Sequence, residues 1–335
     1  MTLHLHGLGH FHPENEISNR FLEELDIGTT NDWIVERVGI RARRTALPLD
    51  YIRATRNGDV RAAPEAALYT NAQLGARAAE LALARAGIER ARIGMVISGS
   101  SAPGVVCPAE AAFVAKELGL EVPSFDLNSA CTTFLAQLFH LSLMHPERVP
   151  DFVLIVQTET LTSVVDYSDR NTAVLFGDAA AAAVVSLCVP GRARVQHVHA
   201  QSSPQGADKV LIPRTGYFSQ DGRAVQMFAI RRTREGYERI VEARRDDPEA
   251  EARPLHFVGH QANLRVLEQV CERCGIAPEL HHANVELFGN TGGASAPSVL
   301  SMEWEKWRAH DDVAVSVVGG GLTWARVLLR FGEAK

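Results

Sequence analysis

The chain has 335 residues, 46% hydrophobic and 22% charged, the composition of an ordinary globular protein. Its formal net charge of −6 argues against nucleic acid and anionic membranes as partners. No apolar run reaches bilayer-spanning length, and the first twelve residues lack the basic and apolar regions of a signal peptide. Five cysteines without framework spacing fit a reducing cytosol, so the expected location is cytoplasmic.

In chain order, His4, His6, His10 and His12 alternate as on a strand, one expected to be central and therefore a poor metal site. Residues 45–66 are polar and read as an irregular surface excursion or lid, with Asn57-Gly58 as a turn signal. Ala72 to Ala86 is alanine-rich and predicts a helix stopped by Gly87. Gly94 to Ser98 predicts a strand, Pro108 to Leu118 a helix, and Val122 to Leu127 a buried strand. Thr132 to Met144 predicts a helix, Phe152 to Gln157 a strand, and Ala179 to Leu187 another buried strand. Residues 200–255 look less regular, with Arg244 to Arg253 as a solvated charged stretch. Strands are then expected at Val285 to Phe288 and Val313 to Val318. The alternation argues an α/β fold. Comparable hairpins, Val174 to Ser186 and Val315 to Phe331, suggest a duplicated architecture with halves at 1–190 and 191–335.

Cys131 is the most informative residue. It lies in Phe125-Asp-Leu-Asn-Ser-Ala-Cys131-Thr-Thr-Phe, at a predicted strand-to-helix turn. Free N–H groups and the positive end of the helix dipole there are expected to favour a thiolate, a nucleophile suited to thioesters. Taken alone, such a cysteine is more often a buried structural residue. Four further segments change the balance: Asn31-Asp-Trp33-Ile-Val-Glu-Arg37-Val-Gly-Ile, Gly259-His260-Gln-Ala-Asn263-Leu-Arg265, Phe288-Gly-Asn290-Thr-Gly-Gly-Ala-Ser295, and Gly319-Gly320-Gly-Leu-Thr-Trp.

Together with Cys131, these segments resemble the β-ketoacyl-acyl carrier protein synthase III family of the thiolase superfamily, in the same order and over nearly the whole chain. The resemblance implies a thiolase-like α/β fold with duplicated halves in an αβαβα layered arrangement. The first half would carry the nucleophile and the second His260 and Asn290. It further implies that Cys131 holds one acyl chain, and that His260 and Asn290 stabilise the enolate of a second thioester. The N–H groups of Cys131 and Gly320 would form an oxyanion hole. Trp33, Arg37 and Arg170 match positions around the coenzyme A nucleotide, Asn263 one lining the pantetheine tunnel, and Arg265 one at its mouth. No cofactor beyond carrier phosphopantetheine or coenzyme A is expected. The expected partners are an acyl carrier protein and a second copy in a homodimer, with neither nucleic acid nor membrane.

Three places depart from the family pattern. Gln226-Met227 stands where Phe-Lys is usual, which would alter the acyl tunnel at Gln226 and remove a basic residue near the carrier protein. Cys107 falls where a bulky aromatic normally reaches the partner's tunnel, which would deepen the acyl pocket. Residues 45–66 are longer than in typical initiation enzymes. These departures suggest a stand-alone ketosynthase of secondary metabolism that joins two β-ketoacyl chains into an α-pyrone. The alternatives are fatty-acid initiation from acyl-coenzyme A and malonyl-carrier protein, and acyl transfer to a hydroxyl or amine. A non-catalytic role conflicts with the intact Cys131, His260 and Asn290. Cys271-x-x-Cys274 lacks a second ligand pair for zinc and reads as helix packing, and the 319–321 glycines lie between strands rather than before a helix, unlike a phosphate loop.

Overall fold

The computed structural model describes residues 2–332. Its centre is a ten-stranded mixed sheet: β1 (Leu3–Phe11), β2 (Ile93–Gly99), β3 (Ser124–Asp126), β4 (Phe152–Glu159), β5 (Ala179–Ser186), β6 (Ala193–Ser202), β7 (Leu255–Gly259), β8 (His281–His282), β9 (Asp312–Gly319) and β10 (Thr323–Phe331). The spatial order is β8-β7-β9-β10-β6-β1-β5-β4-β2-β3. The two halves repeat one pattern. From β1 outward, β5 and β4 pair antiparallel, then β2 and β3 parallel. From β6 outward, β10 and β9 pair antiparallel, then β7 and β8 parallel. The halves meet where β1 pairs with β6, at Leu3–Val195, His4–Arg194 and Leu5–Ala193.

Helices α1 (Asn31–Val38), α2 (Asn71–Ala86), α3 (Glu110–Glu117), α4 (Thr133–Ser142), α5 (Gly222–Ala243), α6 (Leu264–Cys274) and α7 (Ser295–Met302) complete the layers. α4 touches β4 of one half and β6 and β10 of the other, and α7 touches β1 and β5 of one half and β7 of the other, so both form the middle layer. α2 covers the outer face of the first half, and α5 packs on β9 and β10 of the second. The result is the αβαβα thiolase-like arrangement.

Local chemistry explains the elements. Thr70 and Gln73 form a reciprocal cap at the start of α2, and Gly87, with φ 63°, ends it. α2 lies close on β1 because β1 is glycine-bearing there: a Cβ on Gly9 would stand 1.9 Å from the Ala78 carbonyl oxygen. β4 is buried throughout, as expected of a central strand covered on both faces.

Several sequence expectations need correction. Val285–Phe288 is a single helical turn, because the strand beside β7 is the two-residue His281–His282. Val174 to Ser186 holds one strand rather than a hairpin; β5 reaches its partner β4 across a long connection. The segment before Cys131 forms only a three-residue strand at the sheet edge, with Phe125 37% exposed, not a buried strand. Residues 45–66 are a compact part of the body: helices span Leu49–Thr55 and Ala63–Ala66, Ile52 is buried, and the buried Asn57 amide donates to the carbonyls of Ser163 and Val165 at 2.9 Å. Residues 200–255 contain α5, 22 residues long. Arg244 is also no solvated residue, since its Nε donates to the fully buried Asp312 at 2.9 Å. The β1 histidines serve separate places: His6 meets the Val189 carbonyl, His10 meets the Ser301 hydroxyl, and His12 stacks on Phe288. Among the described residues, no three His, Cys, Asp or Glu side chains gather as a metal ligand set, and no helix is long and apolar enough to cross a membrane.

Candidate active site

Cys131 sits at an elbow between β3 and α4. Ala130 adopts φ 48°, a left-handed conformation that costs energy for a residue with a Cβ. Local bonds hold it there: Ala130 N–H donates to Asn128 Oδ1 at 2.9 Å, and the Thr133 hydroxyl donates to the Ala130 carbonyl at 2.6 Å. Cys131 thus stands immediately before the N-terminus of α4. The expected thiolate does not follow. The thiol is pushed up to about 12, first by burial and next by the negative charge of Glu159; the N–H groups of Cys131 and Gly320 pull the other way. Desolvation exceeds the dipole at this position, so the resting group is a thiol.

The β9–β10 connection presses against the same elbow. A Cβ on Gly319 would lie 3.0 Å from the Cys131 nitrogen and 2.9 Å from Thr323 Oγ1, whereas one on Gly320 would meet only side chains at ordinary contact, Val210 at 3.4 Å and the Ala130 Cβ at 3.7 Å. The steric demand for glycine therefore falls on Gly319. The Thr132 and Thr323 hydroxyls, 3.0 Å apart, tie the elbow to the connection.

Asn290 arrives on the turn before α7 and is 8% exposed. Its N–H donates to the Leu175 carbonyl at 2.9 Å, and its carbonyl accepts from Gly177 N–H at 3.1 Å. Its Oδ1 accepts from Gly292 N–H at 3.0 Å, which leaves the amide NH2 as a donor. Gly293 of the same turn faces the elbow, with a Cβ position 3.2 Å from the Ala130 carbonyl oxygen. His260 follows β7, is 8% exposed, and places Nδ1 3.0 Å from the hydroxyl of Ser295, the first residue of α7. Burial lowers its pKa to about 4, so the ring is neutral at physiological pH. The Asn290 turn thus lies against the Ala130–Cys131 elbow, and His260 is tied to Ser295 at the start of the helix into which that turn leads.

A second cluster lies on α1. The Arg37 and Arg170 guanidiniums stand 5.2 and 5.0 Å from the centroid of the Trp33 ring system, a cation–π platform. Arg170 also donates to the Gly28 carbonyl at 2.7 Å. Asn263 and Arg265 have work other than lining a passage. Asn263 caps α6, its Oδ1 accepting from the N–H groups of Arg265 and Val266. Arg265 donates to the carbonyls of Val35 at 2.8 Å and Glu36 at 3.3 Å, closing the C-terminal end of α1. Gln226 is exposed on the first turns of α5 beside Met227, 67% exposed: a surface place rather than the wall of a buried tunnel. Cys107 is exposed on the loop before α3. Sequence reasoning missed Glu159. Its signal was a lone carboxylate ending the otherwise uncharged run of β4. Ser295 lay within a recognised segment, but its contact with His260 depends on the meeting of β7 and α7.

Two family profiles match the chain: 3-oxoacyl-[acyl-carrier-protein (ACP)] synthase III over residues 125–204, and the C-terminal part of the same family over 255–331. The β-ketoacyl-[acyl-carrier-protein] synthase III of Sulfurimonas denitrificans is 30% identical over 98% of both chains. The crystal structure of 3-oxoacyl-(acyl carrier protein) synthase III from Pseudomonas aeruginosa superposes with a TM-score of 0.84 at 30% identity, covering 100% of both chains. That of the priming β-ketosynthase from the R1128 polyketide pathway gives 0.80 at 27%, covering 99% of this chain and 97% of that one. Architecture, site and near full-length similarity agree: the chain belongs to the β-ketoacyl-[acyl-carrier-protein] synthase III family of condensing enzymes.

Proposed function

We propose that this protein loads an acyl group from a thioester onto Cys131 and joins it, by decarboxylative Claisen condensation, to a malonyl group on an acyl carrier protein. The observation that carries this is the packing of the Asn290 turn against the Cys131 elbow, together with the bond from His260 to Ser295 at the start of the following helix. In loading, His260 Nε2 takes the thiol proton as the sulfur attacks the donor carbonyl. The N–H groups of Cys131 and Gly320 receive the oxyanion, and the departing carrier thiolate takes the proton back. In condensation, the malonyl carboxylate leaves as carbon dioxide. The enolate oxygen then accepts from His260 Nε2–H and Asn290 Nδ2–H, and its carbon attacks the acyl-cysteine. The freed Cys131 thiolate finally takes a proton from solvent water. Ser295 suits both steps, because a hydroxyl can accept from Nδ1–H or donate to Nδ1.

Trp33, Arg37 and Arg170 would stack on and pair with the donor nucleotide, and Asn263 and Arg265 would keep that platform and the α6 entrance in place. The working form would be a homodimer built on the edge strand β3, with exposed Phe125 and the neighbouring Val105–Cys107 loop at the contact. The test is intact mass after incubation with acyl-coenzyme A donors, followed by malonyl-carrier protein with carbon dioxide measured. One acyl adduct on Cys131 and one carbon dioxide per product are expected.

The second reading is a two-chain α-pyrone synthase. It is supported by the small Cys107 and loses support from the exposed Gln226 and the compact 45–66 segment. A two-chain adduct from β-ketoacyl thioesters without carbon dioxide would establish it against the first.

A further inference from the structure

Glu159 ends β4 and has no part in the chemistry just described. It is buried, and its carboxylate collects donors from two separate loops. Oε1 accepts from Gly293 N–H at 2.8 Å and from the Ser101 hydroxyl at 3.1 Å, and Oε2 accepts from Ser101 N–H at 2.9 Å. Gly293 belongs to the turn that carries Asn290, and Ser101 opens the loop that leads to Cys107. A Cβ on Gly293 would stand 3.1 Å from Oε1 on one side and 3.2 Å from the Ala130 carbonyl oxygen on the other. One glycine therefore separates the carboxylate from the nucleophile's elbow. A Cβ on Gly292 would lie 2.8 Å from the same Oε1. The titratable groups facing Glu159 are Asp178, just before β5, and Cys131, just before α4; the Ser101 loop and the glycine turn offer only N–H groups and a hydroxyl. Among the described residues, no cation bonds to it.

We propose that Glu159 is a positioning residue for condensation: a strut that holds the Asn290 turn against the Ser101 loop, and a charge beside Cys131 that adds to burial in opposing ionisation of the thiol. This rests on the condensing role proposed above. Burial pushes the Glu159 carboxyl up to about 7, with its N–H donors and the Ser101 hydroxyl opposing and Asp178 adding to the rise. Its charge therefore changes within the working pH range, and Cys131 should become easier to ionise as Glu159 takes up a proton.

The experiment compares wild type with Glu159→Gln, Glu159→Asp and Ser101→Ala. Alkylation of Cys131 by iodoacetamide is followed against pH by peptide mass, and acyl loading and condensation are timed separately. Glu159→Gln should move the alkylation profile to lower pH, roughly tenfold in rate at a fixed pH below the midpoint, because a nearby like charge shifts a pKa by about one unit or more. Glu159→Asp keeps the charge but is too short for the strut, so it should slow condensation more than loading and leave the alkylation profile in place. Ser101→Ala removes one donor, raises the Glu159 pKa further, and should give a smaller shift in the same direction as Glu159→Gln. It decides the comparison if Glu159→Gln does not fold. A wild-type alkylation profile in both Glu159→Gln and Ser101→Ala, or an equal fall of loading and condensation in Glu159→Asp, overturns the proposal. Alkylation needs no acyl substrate, so a shifted profile in a protein that makes no condensation product would fault the functional reading and not the charge role of Glu159.

Discussion

At Cys131 the helix terminus and burial pull in opposite directions, and burial prevails, holding the thiol at about 12. Loading must therefore begin with proton removal, and in the proposed mechanism the neutral His260, with a pKa near 4, accepts it. Cys131→Ala should abolish the acyl adduct in intact mass while the circular dichroism spectrum stays native. An adduct on that variant would show the nucleophile to be elsewhere. Asn290 offers only its NH2, since its Oδ1 is engaged by Gly292. Asn290→Ala should leave loading within a few-fold of wild type and slow condensation about 100- to 1,000-fold, the usual cost of one oxyanion donor. Rapid-quench measurement of the two steps separates them; equal losses would remove Asn290 from enolate stabilisation.

The elements set these groups by close backbone approach. Gly319 and Gly320 differ sharply. Gly319→Ala would drive a methyl group against the Cys131 nitrogen at 3.0 Å, so adduct formation should be lost. Gly320→Ala meets only ordinary contact and should load readily. Reversed outcomes would show that the β9–β10 connection lies differently against the elbow. Arg265 closes α1 through the Val35 and Glu36 carbonyls. Arg265→Ala should loosen the Trp33 platform and raise KM for coenzyme A donors several-fold, while KM for short thioesters lacking the nucleotide stays unchanged. A parallel rise for both donor types would point to a general loss of structure instead.

For the whole molecule, buried and half-buried neutral histidines set the acid limit. His10, His260 and His282 are lowered to about 4 and His12 to about 3, each first by burial. A depressed histidine pKa contributes stability that is present above the unfolded value of 6.5 and lost as pH falls through the folded value. Each such shift corresponds to at most about 3 kcal/mol, and more for His12, before solvent screening reduces it at the partly exposed rings. Glu159 and Asp178, raised to about 7 and about 6, act oppositely: their contribution is full below their unfolded values and is lost as pH rises through the folded ones. The histidines outnumber them, so melting temperature should fall steadily between pH 6.5 and 4. A flat melting profile across that window would contradict the burial of these rings. At the sheet edge, Phe125→Lys should yield monomers by light scattering if β3 is the dimer contact, and an unchanged mass would exclude it.

Much of the fold was legible in the chain because its signals are local. α2 carries its own caps and alanines, β4 opens on the apolar run Phe152 to Val156 and β9 is mostly valine and alanine, and the glycine-rich segments around Asn290 and Gly320 mark tight turns. Cys131, His260 and Asn290 stood out as candidates for the same reason: each sits in a short, distinctive string. What a string cannot express is which groups lose water together. Val285–Phe288 has strand composition yet forms a helical turn, because the place beside β7 is taken by His281–His282. Arg244 looks solvated until β9 brings Asp312 to it from 68 residues away. Cys131 reads as a thiolate until the sheet buries it near Glu159, and Glu159 reads as one acid among many until Ser101 and Gly293 converge on it. The sequence by itself determined the α/β class, most of the central strands and the candidate reactive side chains. Their ionisation and mutual orientation were decided only by the tertiary structure, because desolvation and charge coupling depend on distances between segments far apart in the chain.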